Sequence, residues 1–173
     1  MRAGSFGSVI RDLRPDDLAR VLEINQANVP EVGTVDADRL AWIVGVSPIA
    51  LVAERDLGRG AEVAGFCLVL GDDADYDSVN YSWFVERFED FMYLDRVAID
   101  AAARGRGLGT ALYEEVDRRM RGFDGVVHLA LEVNVDPPNE PSLAFHARLG
   151  FVEVGRQDTP YGIRVSMQSR PLS

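Results

Sequence analysis

Apolar residues recur at strand and helix spacings in alternating blocks along the chain, and polar turns separate the blocks. Val9 to Leu13 reads as a short strand. Pro15 then stands where a first helical turn tolerates it, and Asp16 and Asp17 suit the positive end of a helix dipole. Leu18, Val21 and Leu22 continue at helical spacing, with the helix ending before Pro30. A second helix is predicted from Asp36 to about Val46, burying Leu40, Ile43 and Val44. Ile49 to Ala53 reads as a strand, the turn Asp56 to Gly60 follows, and Val63 to Leu70 completes a hairpin.

Residues 71–90 break this rhythm. Seven acids (Asp72, Asp73, Asp75, Asp77, Glu86, Glu89 and Asp90) stand against Arg87 alone, interleaved with Tyr76, Tyr81, Trp83, Phe84 and Phe88. The pattern predicts a long connection with two readings. One is a solvated loop whose aromatics cap the core; the other is a lip that attracts a cationic or aromatic-bearing substrate.

The second half alternates strand and helix. Phe91 to Ile99 is a strand, a glycine-rich turn spans 104–109, and Leu108, Leu112 and Val116 carry a helix ended by Gly122. Pairs at i,i+4 support that helix: Glu114–Arg118, Glu115–Arg119 and Asp117–Arg121. Val126 to Val133 is an apolar strand, and a helix after Pro137-Pro138-Asn139 runs to about Leu149 and stops at Gly150. Phe151 to Val154 and Ile163 to Met167 close a sheet. The order β-αα-βββ-α-β-α-ββ is an α/β mixture, and no repeat or linker divides the 173 residues, so a single domain over 1–173 is expected.

Composition removes several chemistries. A net charge of −10 argues against a nucleic-acid surface, which needs a basic stripe. All 18 basic residues are arginine, so neither a Walker-type phosphate loop nor a Schiff-base lysine is present. Cys67 is the single cysteine and there are two histidines, which leaves no disulfide framework and no expectation of a metal site. The first residues carry no apolar leader, and the Ala41 to Ala53 stretch is broken by Ser47-Pro48. A cytoplasmic protein without a membrane partner is expected.

The sharpest chemical signal is Asp100-Ala-Ala-Ala-Arg104-Gly105-Arg106-Gly107-Leu108-Gly109-Thr110, between a strand and a helix. Alternating glycines let the main chain approach a ligand and turn successive N–H groups into one hollow at a helix N-terminus, which suits a pyrophosphate. Arg104 and Arg106 add charge at the rim. The Rossmann pattern fails, because its third glycine position falls on Thr110 or Leu112.

The loop matches R-x-x-G-x-G, and the chain resembles the GCN5-related N-acetyltransferases well beyond it. Leu94-Asp-Arg-Val-Ala-Ile99 is similar to that family's central strand. Asn139-x-x-Ser142-x-Ala144-Phe145-x-x-x-Leu149-Gly150-Phe151 is similar to its N-x-x-(A/S)-x-x-x-Y-x-x-x-G-F segment. The resemblance implies a GNAT fold, with a mixed, mostly antiparallel sheet whose two central strands splay apart, flanked by helices. It implies acetyl transfer from acetyl-CoA to a primary amine by direct attack in a ternary complex. The main chain of Val97, Ala98 and Ile99 would pair with the pantetheine arm. The amides from Arg104 through Gly105, Arg106, Gly107, Leu108 and Gly109 to Thr110 would hold the pyrophosphate. Asn139 and Ser142 would lie beside the pantetheine and leaving sulfur.

Acetylating an amine requires its neutral form, and an alkylammonium with pKa near 10.4 is about one part in several thousand neutral at pH 7. A carboxylate can remove the proton. Glu132, in Leu131-Glu-Val133, is the first candidate, because an acid in an apolar strand is costly without a role or partner. Family members that acetylate protein N-termini carry a catalytic glutamate in a similar context. The alternative is a solvated or arginine-paired side chain. Asp95 is the rival base, or one half of an Asp95–Arg96 ion pair. Tyr93 stands about where the histone-acetylating branch places its glutamate. His146 replaces the family's usual tyrosine acid; it is either a substitute proton donor or an inert packed residue. His128 and Cys67 read as structural.

The acidic segment and net charge favour a cationic acceptor: a small amine, an amino acid derivative or a protein N-terminus. Arg39 and the Asn25 to Pro30 loop are expected on the acceptor side, and a homodimer is compatible with the family. A non-catalytic acyl-CoA sensor and a transferase for a larger acyl group are the alternatives.

Overall fold

A computed structural model describes residues 7–172. Among these residues, seven strands form a sheet in the order β1 (Val9–Asp12), β2 (Ile49–Asp56), β3 (Ala61–Gly71), β4 (Phe91–Ile99), β5 (His128–Asp136), β7 (Arg164–Pro171), β6 (Val152–Asp158). Packing divides the described chain into two compact units: residues up to Val69 with Arg96–Arg119, and Leu70–Asp95 with Met120 onward.

In the first unit, β1 (Val9–Asp12), β2 (Ile49–Asp56) and β3 (Ala61–Gly71, whose last two residues fall in the second unit) form an antiparallel ladder. A 3-10 turn at Pro15–Asp17 leads into α1 (Leu18–Ala27), and α2 (Ala37–Val46) starts on Asp36, whose side chain accepts from the Arg39 N–H at 2.7 Å. Val21, Ile24, Leu40 and Ile43 are buried. Arg11 joins β1 to the turn and to β2 through Asp17 and Glu54.

β4 (Phe91–Ile99) ends in this unit, where the Asp100 N–H donates to the Ala64 carbonyl at 2.7 Å. Gly65 permits the close approach, since a Cβ there would lie 2.6 Å from the Ile99 side chain and 3.2 Å from the Ala98 carbonyl. A 3-10 turn (Ala101–Ala103) precedes α4 (Leu108–Met120), anchored by buried Leu108, Leu112, Tyr113 and Val116. Of the predicted pairs on α4, Glu115–Arg119 forms at 2.7 Å, and Arg118 also turns to Glu115 at 2.6 Å.

In the second unit, β5 (His128–Asp136) pairs antiparallel with β7 (Arg164–Pro171), which pairs antiparallel with β6 (Val152–Asp158). The β4–β5 ladder is parallel and joins only Phe91, Met92 and Tyr93 to His128, Leu129 and Ala130. Leu94 and Asp95 lie past its end, which is the divergence of central strands that the resemblance implies. The β1–β2, β2–β3, β5–β7 and β6–β7 ladders are antiparallel, so the sheet is mixed as expected.

The expected loop at 71–90 needs correcting. It contains a helix, α3 (Val79–Val85), capped by the Ser78 hydroxyl accepting from the Tyr81 N–H. Tyr81 and Phe84 are buried against β4, with ring centroids 5.4 and 5.9 Å from Tyr93, while Asp72, Asp73, Asp75 and Asp77 are exposed. Tyr81 closes the preceding turn by donating to the Gly71 carbonyl at 2.6 Å and accepting from the Ala74 N–H at 3.0 Å. Trp83 rests on β6 where Gly155 leaves room, since a Cβ there would come 2.5 Å from the indole. The helix, α5 (Glu140–Arg148), follows β5 on an Asn139 cap.

Candidate active site

The glycine-rich turn lies wholly within the first unit. Gly105 and Gly107 have φ of 71° and 79°, a region that L side chains avoid, and nothing stands within 4 Å of a Cβ at either position. The first-turn N–H groups of α4, at Leu108, Gly109 and Thr110, have no acceptor inside the helix. Together these make an open, positively polarised cradle. The residues present therefore fit a diphosphate. Arg106 is exposed at the rim, whereas Arg104 donates to Asn28 Oδ1 at 2.7 Å and so ties the turn to the end of α1. Asn28 also donates to the Ile99 carbonyl at 3.3 Å, beside Val97 and buried Ala98. Arg96 points to the α1–α2 connection, donating to Asn25 Oδ1 at 3.0 Å and to the Gly33 carbonyl at 2.6 Å. Arg39 stacks on Trp42, its guanidinium carbon 4.4 Å from the ring centre.

The candidate acid–base groups gather in the second unit. Tyr93 and Asp95, two residues apart on β4, project to one face. Register places Tyr93 opposite Ala130, so Glu132 falls on that face too. The Tyr93 hydroxyl donates to Glu132 Oε2, and the Asn80 amide of α3, which donates to the Tyr161 hydroxyl at 3.3 Å, lies near the same carboxylate. Tyr76 donates to Asp95 Oδ1 at 2.8 Å.

Burial pushes the Glu132 carboxyl up to about 7 and the nearby charge of Asp95 adds to this, while the hydrogen bond from Tyr93 and the nearby Asn80 amide pull the other way. The Tyr93 phenol is fully buried beside two carboxylates, which holds it well above its ordinary range and keeps it a proton donor. Neither Asn80 nor Tyr76 was singled out as a chemical partner by the sequence. Tyr93 was noted there only for its position. The i,i+2 spacing of Tyr93 and Asp95 was available as a signal, but Asn80 gave none until α3 was seen.

His146 is 4% exposed and donates from Nδ1 to the Ser142 carbonyl at 2.8 Å, with the Ser142 hydroxyl at 3.2 Å. It packs edge-on to Phe145 and Phe151, and burial holds its pKa below the usual value, so the ring is neutral at neutral pH. Asn139 Oδ1 caps α5 by accepting from the Ser142 N–H at 3.3 Å. Cys67 is fully buried and its thiol is pushed up to about 12, which makes it unreactive. His128 lies at the far end of β5, edge-on to Phe88. No cluster of metal-ligating side chains occurs among the described residues, and none of their helices is long and apolar enough to cross a membrane.

The acetyltransferase (GNAT) family model matches residues 18–151, and the chain belongs to that family. The chain is 29% identical over 155 residues to mycothiol acetyltransferase of Mycolicibacterium gilvum (strain PYR-GCK), covering 85% of this chain and 46% of that protein. It thus spans about half the length of that relative. Among solved structures, Arabidopsis thaliana NAA60 in complex with a bisubstrate analogue superposes with a TM-score of 0.76 at 18% identity, over 96% of this chain and 100% of that one. The yncA protein of Salmonella typhimurium, solved with its cofactor acetyl-CoA, gives 0.70 at 23% identity, over 96% and 95%. These two likenesses are of fold.

Proposed function

We propose that this chain is an acetyl-CoA-dependent N-acetyltransferase that acetylates a primary amine by direct attack, with both substrates bound. The observation that carries the reading is the Glu132 carboxyl: half-buried in an apolar strand, raised to about 7 and held by the Tyr93 hydroxyl. The names of the mycothiol acetyltransferase relative and of neighbours solved with acetyl-CoA support acetyl as the acyl group.

Bound at the glycine turn, the donor supplies an activated acetyl carbon and a thiolate leaving group. This chain's part is to hold the diphosphate on the amides from Arg104 to Thr110 and to make the amine nucleophilic. The ammonium gives its proton to the Glu132 carboxylate, which frees the nitrogen lone pair to form the C–N bond. The C–S bond breaks, and the second proton shed by the nitrogen goes to the thiolate, which leaves as the thiol. Moving a proton from pKa near 10.4 to a group at about 7 is roughly 2.5 units less uphill than moving it to an ordinary glutamate, about 3 kcal/mol. Asp95 adds a second negative group beside the base, and the exposed acids of residues 72–77 favour a cationic acceptor, whether a small amine, an amino acid derivative or a peptide N-terminus.

His146 and Ser142 take a positioning role in this reading, locking the first turn of α5. With Nδ1–H committed to the Ser142 carbonyl, the ring must change tautomer before it can give a proton from its other nitrogen. His146→Phe is therefore expected to lower turnover less than about tenfold, at some cost in melting temperature; a loss beyond about 100-fold assigns it the acid role.

The proposal is tested by measuring thiol release from acetyl-CoA with pools of cationic amines, amino acid amides and short peptides. Release that depends on one pool and on Glu132 supports it. Binding of acetyl-CoA without release across the panel replaces it with an acyl-CoA-sensing role.

A further inference from the structure

Asn28 ends α1 and carries its side chain to the glycine turn. Its Nδ2 donates to the Ile24 carbonyl at 2.8 Å, in the last turn of α1, and to the Ile99 carbonyl at 3.3 Å, at the end of β4. Main-chain carbonyls only accept, so the two fix the amide with its nitrogen inward and Oδ1 outward. The outward oxygen accepts from Arg104 Nη2 at 2.7 Å. Arg104 opens the glycine turn, and its side chain is otherwise exposed. Other arginines of this unit are held by charge: Arg11 on Asp17, Arg20 on Asp100 and Arg119 on Glu115, each at 2.7 Å. Asp100, the acid nearest to Arg104 in sequence, is taken up by Arg20 and by the Ala102 N–H at 2.8 Å. An amide oxygen, unlike a carboxylate, orients a guanidinium without cancelling its charge.

We infer that Asn28 is a positioning residue for the acetyl donor: it holds Arg104 in place with its positive charge uncancelled, ready for a phosphate group at the glycine turn. This rests on the reading of that turn as the diphosphate site. An unheld arginine side chain loses rotamer freedom when an anion fixes it, and that loss weakens binding. Here the guanidinium is already set by Asn28, which is itself set by two carbonyls, so most of the ordering is done when the chain folds. The other nitrogens of the exposed guanidinium remain for phosphate oxygens, which its planar fork can meet two at a time. A carboxylate in place of the Asn28 amide would hold Arg104 as firmly but would take away the charge that a phosphate needs.

Calorimetry with coenzyme A tests this as a double-mutant cycle on Asn28→Ala and Arg104→Met. Arg104→Met is expected to raise the dissociation constant about 10- to 100-fold, the loss of a hydrogen bond to a charged group. Asn28→Ala should raise it about three- to tenfold, the cost of ordering one long side chain on binding. In protein that already carries Arg104→Met, it should have no further effect. Asn28→Ser should match Asn28→Ala, because a hydroxyl there can still reach back to the Ile24 carbonyl but is too short to hold the guanidinium. Effects that add in the cycle, or affinity restored by Asn28→Ser, overturn the inference, since Asn28 would then act through the helix end or Ile99. Unchanged affinity in Asn28→Ala overturns it too. A φ of −107° at Asn28 suits alanine; should that variant nonetheless not fold, Asn28→Ser carries the same cycle. Binding needs no turnover, so thiol release from acetyl-CoA judges the enzymatic reading separately. If Gly107→Val weakens binding and Asn28→Ala does not, the inference alone falls. If neither weakens it, the diphosphate reading falls and takes the inference with it.

Discussion

Glu132→Gln is expected to cut turnover by about 10²- to 10⁴-fold while leaving acetyl-CoA affinity within about twofold. The proposed base and the glycine turn are built from different residues, so one can be lost without the other. In the parent, kcat/KM should rise with pH through a midpoint near 7, the value to which burial lifts this carboxyl, and the variant should lack that limb. A variant as active as the parent would remove Glu132 from the mechanism.

The same substitution has a consequence for stability. The folded chain holds a proton on Glu132 up to about 7, whereas the unfolded chain releases it near 4.5. Folding therefore takes up a proton between these values, and raising the pH through that window weakens the native state. Glutamine carries no such proton. Relative to Glu132→Gln, the parent should lose about 1–3 kcal/mol between pH 4.5 and 8, discounted from the full shift because the side chain is part-exposed. Urea unfolding of both proteins at pH 4.5 and 8 measures it; parallel changes would show that the carboxyl is not raised.

Gly107→Val is the second large effect, and it has the opposite kinetic signature. At φ of 79° a β-branched residue costs about 1–2 kcal/mol, and relaxation to a permitted angle would turn the first amides of α4 away from the cradle. Nothing lies within 4 Å of the added Cβ, so the new side chain occupies only the space through which a diphosphate would approach. The expected result is a rise of about 10- to 100-fold in the acetyl-CoA dissociation constant and KM, with kcat at saturating donor within about threefold. The Glu132 titration should not move. Unchanged affinity by calorimetry would place the diphosphate elsewhere.

The elements that could be read along the chain were those whose own pattern is strong. The strand Phe91–Ile99 and the helix starting at Leu108 match the structure, and Asp36 marks the start of α2 as an N-cap should. β6 extends to Asp158, beyond the expected Val154, because it is an edge strand whose polar second half is held by pairing with β7 rather than by burial. α3 was missed because seven residues make fewer than two turns, and aromatic residues give no strong helix preference. Acids on both sides, all exposed, made the segment look like a solvated loop. Its buried Tyr81 and Phe84 show that the aromatics belong to the core, as one of the two sequence readings held.

The sequence by itself determined the glycine turn and the helix start that fit a diphosphate. Positive φ at glycine and the unpaired amides of a helix start are local properties, fixed by neighbours along the chain. It also determined that an acid stands in an apolar strand. Only the tertiary structure decided what that acid is. Its affinity for a proton depends on burial and on Tyr93, Asp95 and Asn80, which arrive from another strand and from a helix that local propensity does not announce. Electrostatic and hydrogen-bonding energies depend on distance in space. Strand register and the seating of α3, not spacing along the chain, set those distances.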